Sequence, residues 1–316
     1  MSFDLGRLER TSPHLMADLV ELIVVLNVDG RTTYQLDDIA SVIEDQPDFD
    51  GMDGTTLRDS LADAWNQLGY RIGRFDENYP FRLVKSGLRL KPALTPGSRI
   101  YLMLLVCSRL RSFSRTLRSN WATTFTTLSC EALRELMPAT AKVKIFDANS
   151  SDRRTYFGTD LRKALKVLGK DLAVHATFDD ECDQRGSSGD AGIDLVAIAP
   201  WNDKATGIHV ILGQCAARET EWPEKRFEAH SLALKALFSF LVDPVNAVFI
   251  PVLYRETTGA WVVNSAASGC LLVDRLRIML LLRRPARQSQ IASQAWFRKF
   301  EREFKAVKKS LVPSVA

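Results

Sequence analysis

Residues 189–216 read GDAGIDLVAIAPWNDKATGIHVILGQCA. Two apolar runs, 193–199 and 208–216, flank the polar turn PWNDKATG. Short Ile- and Val-rich runs bounded by turn residues read as strands. Asp194 stands at the mouth of the first run, and Gln214 follows IHVILG in the second. A buried amide costs free energy unless it is hydrogen-bonded. Gln214 is therefore either satisfied by backbone at a strand end, or it holds a metal or a water. If the two strands are neighbours, Asp194 and Gln214 share one rim of the sheet. Oxygen ligands gathered there suit a hard cation such as Mg2+ or Mn2+.

The surrounding chain alternates in the same way. KVKIF (142–146) is a short strand, and DLRKALKVLG (160–169) a helix capped by Thr159 or Asp160. DDECDQRGSSGDAG (179–192) is a polar loop. Pro223 opens a helix predicted to run to residue 241. NAVFIPVLY (246–254) is a third strong strand, apolar enough to be buried on both faces. AWVVNSA (260–266) is a further strand, GCLLVDRLRIMLLLRR (269–284) a helix, and 292–310 a basic amphipathic helix. Helices alternating with apolar strands predict an α/β (α+β) core, a central mixed sheet flanked by helices.

Further upstream, WATTFTTLSCEALREL (121–136) is a helix carrying Glu131, a candidate third oxygen ligand. Residues 13–28, 34–45 and 55–70 have helical periodicity, and the turn-rich segment 71–92 reads as one or two hairpins. Helices followed by a small hairpin are a winged-helix-like arrangement. Pro92, Pro96 and Gly97 mark a boundary before an apolar helix at 99–115. The expected domains are therefore 1–95, a connecting helix at 96–120, a core at 121–284 and a basic C-terminal helix at 285–316.

Composition narrows the partners. The 316 residues carry 42 Lys and Arg against 38 Asp and Glu, a net charge of +4. That excess is too small to imply nucleic acid by itself. Its distribution is uneven, with thirteen acids against four arginines in the first sixty residues. The stretch 275–309 is the reverse and is rich in Arg and Lys. An acidic N-terminal domain suits docking of a partner protein subunit. Arg298, Lys299, Arg302 and Lys305, interleaved with Trp296, Phe297 and Phe300, are candidates for neutralising phosphates. The five cysteines form no CxxC pair and the four histidines have no zinc spacing, which predicts reduced thiols in a cytoplasm. MSFDLGRLER lacks the apolar core of a signal peptide. RIYLMLLVC is far below the roughly 20 residues of a membrane span, so no membrane contact is expected.

The pattern G-D-x-G-[IL]-D before one apolar strand, with Gln at the end of the next, resembles the PD-(D/E)XK (restriction endonuclease-like) nuclease superfamily. The likeness is to its type IV restriction-like, phage-defence-associated branch, and covers about residues 120–255. It implies a metal-dependent DNA endonuclease, the effector of a bacterial defence or restriction system. Asp194 and Gln214 then hold Mg2+ or Mn2+, and Glu131 matches the acid of the preceding helix. One position departs. Where the superfamily has Lys two residues after the Glu or Gln, this chain has Ala216. Either Lys225 on the next helix or Arg218 on the same strand replaces that Lys, or the fold binds DNA or scaffolds a complex without cleaving. Asp190 is an alternative ligand to Asp194, and Glu219 and Glu221 are further carboxylates just past the strand. No phosphate-binding GxxxxGK[ST] loop, GxSxG elbow or HExxH pair is present.

Overall fold

A computed structural model describes residues 12–27, 29–45, 53–218 and 222–311. Pro13–Leu26 forms α1, Leu36–Glu44 α2 and Gly54–Phe75 α3. Phe81–Val84 and Gly87–Leu90 make the hairpin β1–β2, followed by α4 (Pro96–Ser108) and α5 (Arg115–Leu136). Lys142–Ile145 is β3, Leu161–Asp171 α6, Ala176–Thr177 β4 and Asp179–Asp183 α7. Then come β5 (Leu195–Ala199), β6 (His209–Cys215), two single turns α8 (Trp222–Lys225) and α9 (Ser231–Leu234), and β7 (Phe238–Ser239). The described chain closes with β8 (Val245–Phe249), β9 (Leu271–Val273), α10 (Arg275–Leu281), α11 (Pro285–Ser293) and α12 (Ala295–Leu311).

The architecture is α/β. A five-stranded mixed sheet runs β3-β5-β6-β8-β9. The first three strands are antiparallel, and β8 and β9 continue parallel to β6. Side chains alternate across the sheet. On one face Leu195, Ala197, Ile211, Ala247 and Phe249 join a core shared with α1, α4, α5 and α12. On the other, Val196, Ile198, Val210 and Leu212 pack on Leu161, Leu165 and Leu168 of α6. Further along that face Val248, Ile250 and Leu272 enclose Ala216 and Trp222.

Residues on both sides of Pro92–Gly97 belong to that shared core, so the boundary does not separate two hydrophobic interiors. Every residue of α1 from His14 to Leu26 is buried, Asp18 and Glu21 among them. Buried charges need partners. Arg71 Nη1 lies 2.7 Å from Asp18 and 2.8 Å from Glu21, and Arg275 Nη2 lies 2.7 Å from Asp18. Tyr79 and Tyr101 hydroxyls donate to Glu21, and Ser108 donates to Asp18. Two of the acids counted toward an acidic docking face are thus interior. Asp4, Glu9, Asp48 and Asp50 lie outside the described residues.

Several predicted elements take another form. The helix expected over 223–241 is two single turns and a two-residue strand. The His230 imidazole accepts the Leu232 N–H and restarts the helix there, and β7 pairs with β4 instead of continuing it. Strand β8 stops at Phe249, just before Pro251, which has no N–H for the ladder. Residues 260–266 form no strand of the sheet, only the bridge Arg255–Trp261 and a 3-10 turn at Asn264–Ala267. The fifth strand lies instead in Leu271–Val273, inside the segment expected to be wholly helical. Asp274 ends it by capping α10 through the Arg277 N–H. The C-terminal segment is two helices. No helix among the described residues is long and apolar enough to cross a membrane.

Candidate metal centre

Leu195 lies opposite Gly213 in the β5–β6 register. One step further along the same ladder, Asp194 stands beside Gln214, and its N–H donates to the Gly213 carbonyl at 2.9 Å. The two side chains leave the same face of the sheet at its rim. On the outer side, Phe146 N–H donates to the Asp194 carbonyl at 2.7 Å. This places Asp147, the second residue past β3, next to them. The loop 187–193 supplies Asp190. That loop turns through left-handed backbone at Gly189, Ala191 and Gly192. A Cβ at Gly192 would come within 2.8 Å of the Glu228 Cβ, so a larger residue is excluded both by space and by φ.

One oxygen from each of Asp147, Asp190 and Asp194 lies within 4.8 Å of the other two. Asp194 is buried at 7% exposure, while Asp147 and Asp190 are half-buried. Burial pushes the Asp194 carboxyl up to about 7, and the Asp190 and Asp147 charges push the same way. The Cys215 N–H, donating to Asp194 Oδ2 at 2.7 Å, and Lys225 oppose the rise. Three acids converging on one point are unfavourable unless protons or a cation offset them.

Gln214 is 4% exposed, and its Oε1 has no hydrogen-bond partner. It lines the same cavity of about 330 Å³ as the three acids. Lys225 from α8 and Glu228 line it too, with Nζ 3.7 Å from the Glu228 carboxylate. From α5 the wall receives Ser119, Ala122, Thr123 and Thr126. The three carboxylates and the amide offer oxygen donors, mostly anionic, which fits a hard divalent cation. The stranded Gln214 oxygen is an additional neutral donor of the kind such an ion uses.

The sequence-predicted residues distribute as follows. Asp194, Gln214, Asp190 and Lys225 come together. Glu131 does not join them. It lies beyond the part of α5 that reaches the cavity, and its carboxylate is held by Arg134 and Arg287. Arg218 lines an adjoining cavity and not this one. Ala216 is 2% exposed and packed within the apolar cluster around Trp222, so its position offers no room for a charged head group. Arg298, Lys299, Arg302 and Lys305 are exposed on α12 and line neither cavity. The α12 aromatics Phe297, Phe300 and Phe304 are buried, with Phe300 against Trp121. Glu219 and Glu221 lie outside the described residues. Asp147 was not anticipated. Its signal was an acid immediately after a short strand. Comparison with protein-family models, curated proteins and solved structures finds no match to this chain.

Proposed function

We propose that this protein is a metal-dependent phosphodiesterase of the nuclease type, acting on DNA. The observation that carries the reading is the unpartnered Gln214 oxygen in the wall that holds Asp147, Asp190 and Asp194. An acidic cluster alone is common, but a buried amide oxygen left unsatisfied beside one costs free energy that a ligand would recover. Asp147, Asp190, Asp194 and Gln214 would hold the ion, Mg2+ or Mn2+. When bound, such an ion neutralises phosphate charge and makes a nearby water more acidic.

The chain's own groups set the rest. Gln214 adds an oxygen without a fourth negative charge. Lys225 brings a cation to the same wall from a different element than the superfamily's strand Lys, and is the group able to meet a phosphate oxygen there. The mixed sheet flanked by helices is compatible with the resemblance, and the role in anti-phage defence rests on that resemblance alone. Ala216 favours a second reading, a nuclease-like fold that binds DNA or scaffolds a complex without cleaving it.

The test is calorimetry with Mn2+ and Mg2+ on the wild type and Asp194→Asn, alongside plasmid cleavage. Metal uptake and cleavage, both lost in the variant, support the enzyme. Uptake without cleavage supports the binding protein, and no uptake by the wild type sinks the metal centre.

A further inference from the structure

We infer that the larger cavity beside the acidic one seats the phosphate backbone of a polynucleotide strand and delivers it to the acids. The direction of the strand rests on the nuclease reading above, but the binding itself does not. This second cavity measures about 760 Å³, and Arg111, Arg115, Arg118, Arg218 and Lys225 line it. Among the described residues its wall carries no acidic side chain. Guanidinium groups match phosphate geometry, and four of the five cations are arginines. Arg118 is oriented by donating to the Phe113 carbonyl at 3.3 Å and to the Arg111 carbonyl at 3.5 Å.

The two cavities adjoin. Ser119, Ala122, Cys215, Ala217 and Lys225 line both. Helix α5 spans the junction, because residues 115, 118, 119, 122, 123 and 126 fall on one stripe at helical spacing. The cations occupy the N-terminal end of that stripe and Thr126 the acidic end. The eleven-residue separation is roughly 16 Å at about 1.5 Å per residue, longer than the distance between adjacent phosphates. Small side chains, Ala122, Ala217 and Ser119, floor the middle, where a sugar-phosphate chain has to pass close to the protein. A tract of that length suits a strand rather than a single phosphate.

Fluorescence anisotropy with labelled DNA duplex, DNA single strand and RNA of the same sequence tests this, in EDTA so that neither metal nor cleavage contributes. The wild type is expected to bind at least one polynucleotide with strong salt dependence. Arg115→Ala with Arg118→Ala is expected to weaken it about tenfold or more. It should also flatten the slope of log K against log salt by about 1.8 on duplex, about 0.9 per lost contact. Arg115→Glu, a change at an exposed position, provides the same test if the double variant folds poorly. Arg298→Ala with Lys299→Ala on α12 is expected to leave both quantities unchanged. Absence of wild-type binding, unaltered binding by the groove variants, or transfer of the loss to α12 each overturns the groove. Binding to RNA alone keeps the groove and reassigns its substrate. Retained binding with no plasmid cleavage under Mg2+ or Mn2+ removes the nuclease reading and leaves the groove standing.

Discussion

Arg153 fastens Gly189 to the end of β3. Its Nη1 donates to the Gly189 carbonyl at 3.1 Å and the Phe146 carbonyl at 3.2 Å, and its Nε to the Gly158 carbonyl at 2.8 Å. Those first two carbonyls belong to the residues immediately before Asp190 and Asp147. One fully buried side chain therefore sets the spacing of two of the three acids without touching either carboxylate. It sits at the start of a single π-helical turn, Arg153–Phe157, a local irregularity that occurs often at functional sites. Arg153→Lys keeps the charge but loses the planar fork. Mn2+ affinity measured by calorimetry is expected to fall about 10- to 100-fold with all carboxylates in place, the usual cost of losing a ligand's support. Unchanged affinity would mean that the loop's own turns suffice.

Placing a lysine at position 216, where the resemblance expects one, should fail. Ala216 is enclosed by Trp222, Val248 and Ile250, with no space for four methylenes and an ammonium. Ala216→Lys is expected to destabilise the fold by at least about 2 kcal/mol through overpacking and a buried charge. Urea unfolding reads the change. A variant as stable as the wild type, with increased cleavage, would show that the lysine can reach the site after all.

His14 makes acid the weaker flank of stability. Burial lowers its pKa to about 4 from an ordinary 6.5, against the pull of Asp18, and its ring stands edge-on to Tyr254 at 5.3 Å. The folded state then binds fewer protons than the unfolded chain between about pH 6.5 and 4. Its contribution is complete above the unfolded value and is lost as pH falls toward the folded one. The loss is about 3 kcal/mol at most. Denaturant unfolding at pH 7 and pH 4.5 on the wild type and His14→Phe is expected to show a smaller acid loss in the variant. Equal losses would assign the acid sensitivity elsewhere.

Two ion pairs of similar length should differ widely in worth. Arg275 is sealed between Asp18 and Tyr101, and its removal leaves two carboxylates facing Arg71 alone. Arg275→Met is expected to cost about 3–5 kcal/mol. Arg99 meets Glu301 through two contacts of 2.6 Å, but both side chains are about one-third exposed. Arg99→Ala is expected to cost no more than about 1 kcal/mol. Thermal melts of both variants decide, and equal costs would refute the argument from solvent screening.

The sheet's central hairpin and the neighbourhood of Asp194 and Gln214 were legible because strand periodicity and a misplaced amide are local signals. Strand β9 was not legible, since three residues running into a helix carry no period of their own. Glu131 failed for a related reason. A helix's sequence tells which residues share a stripe, but not how far along its length a neighbour reaches. Asp18 and Glu21 were counted as surface acids because their partners, Arg71 and Arg275, are remote in the chain. Asp147 went unnoticed because its meaning depends on the pairing of β3 with β5, which no single segment announces.

The separation of Asp18 from Arg275 has a consequence in time. They are 257 residues apart. At ribosomal rates of about 5–20 residues per second, roughly 13 to 50 s pass between the synthesis of one and the other. Throughout that interval Asp18 lacks one of its two arginines and does better hydrated. Helix α1 is therefore expected to stay outside the interior until residue 275 has been made. A product cut short of residue 275 would keep that helix and its apolar face in water, recognisable to chaperones and proteases as unfinished.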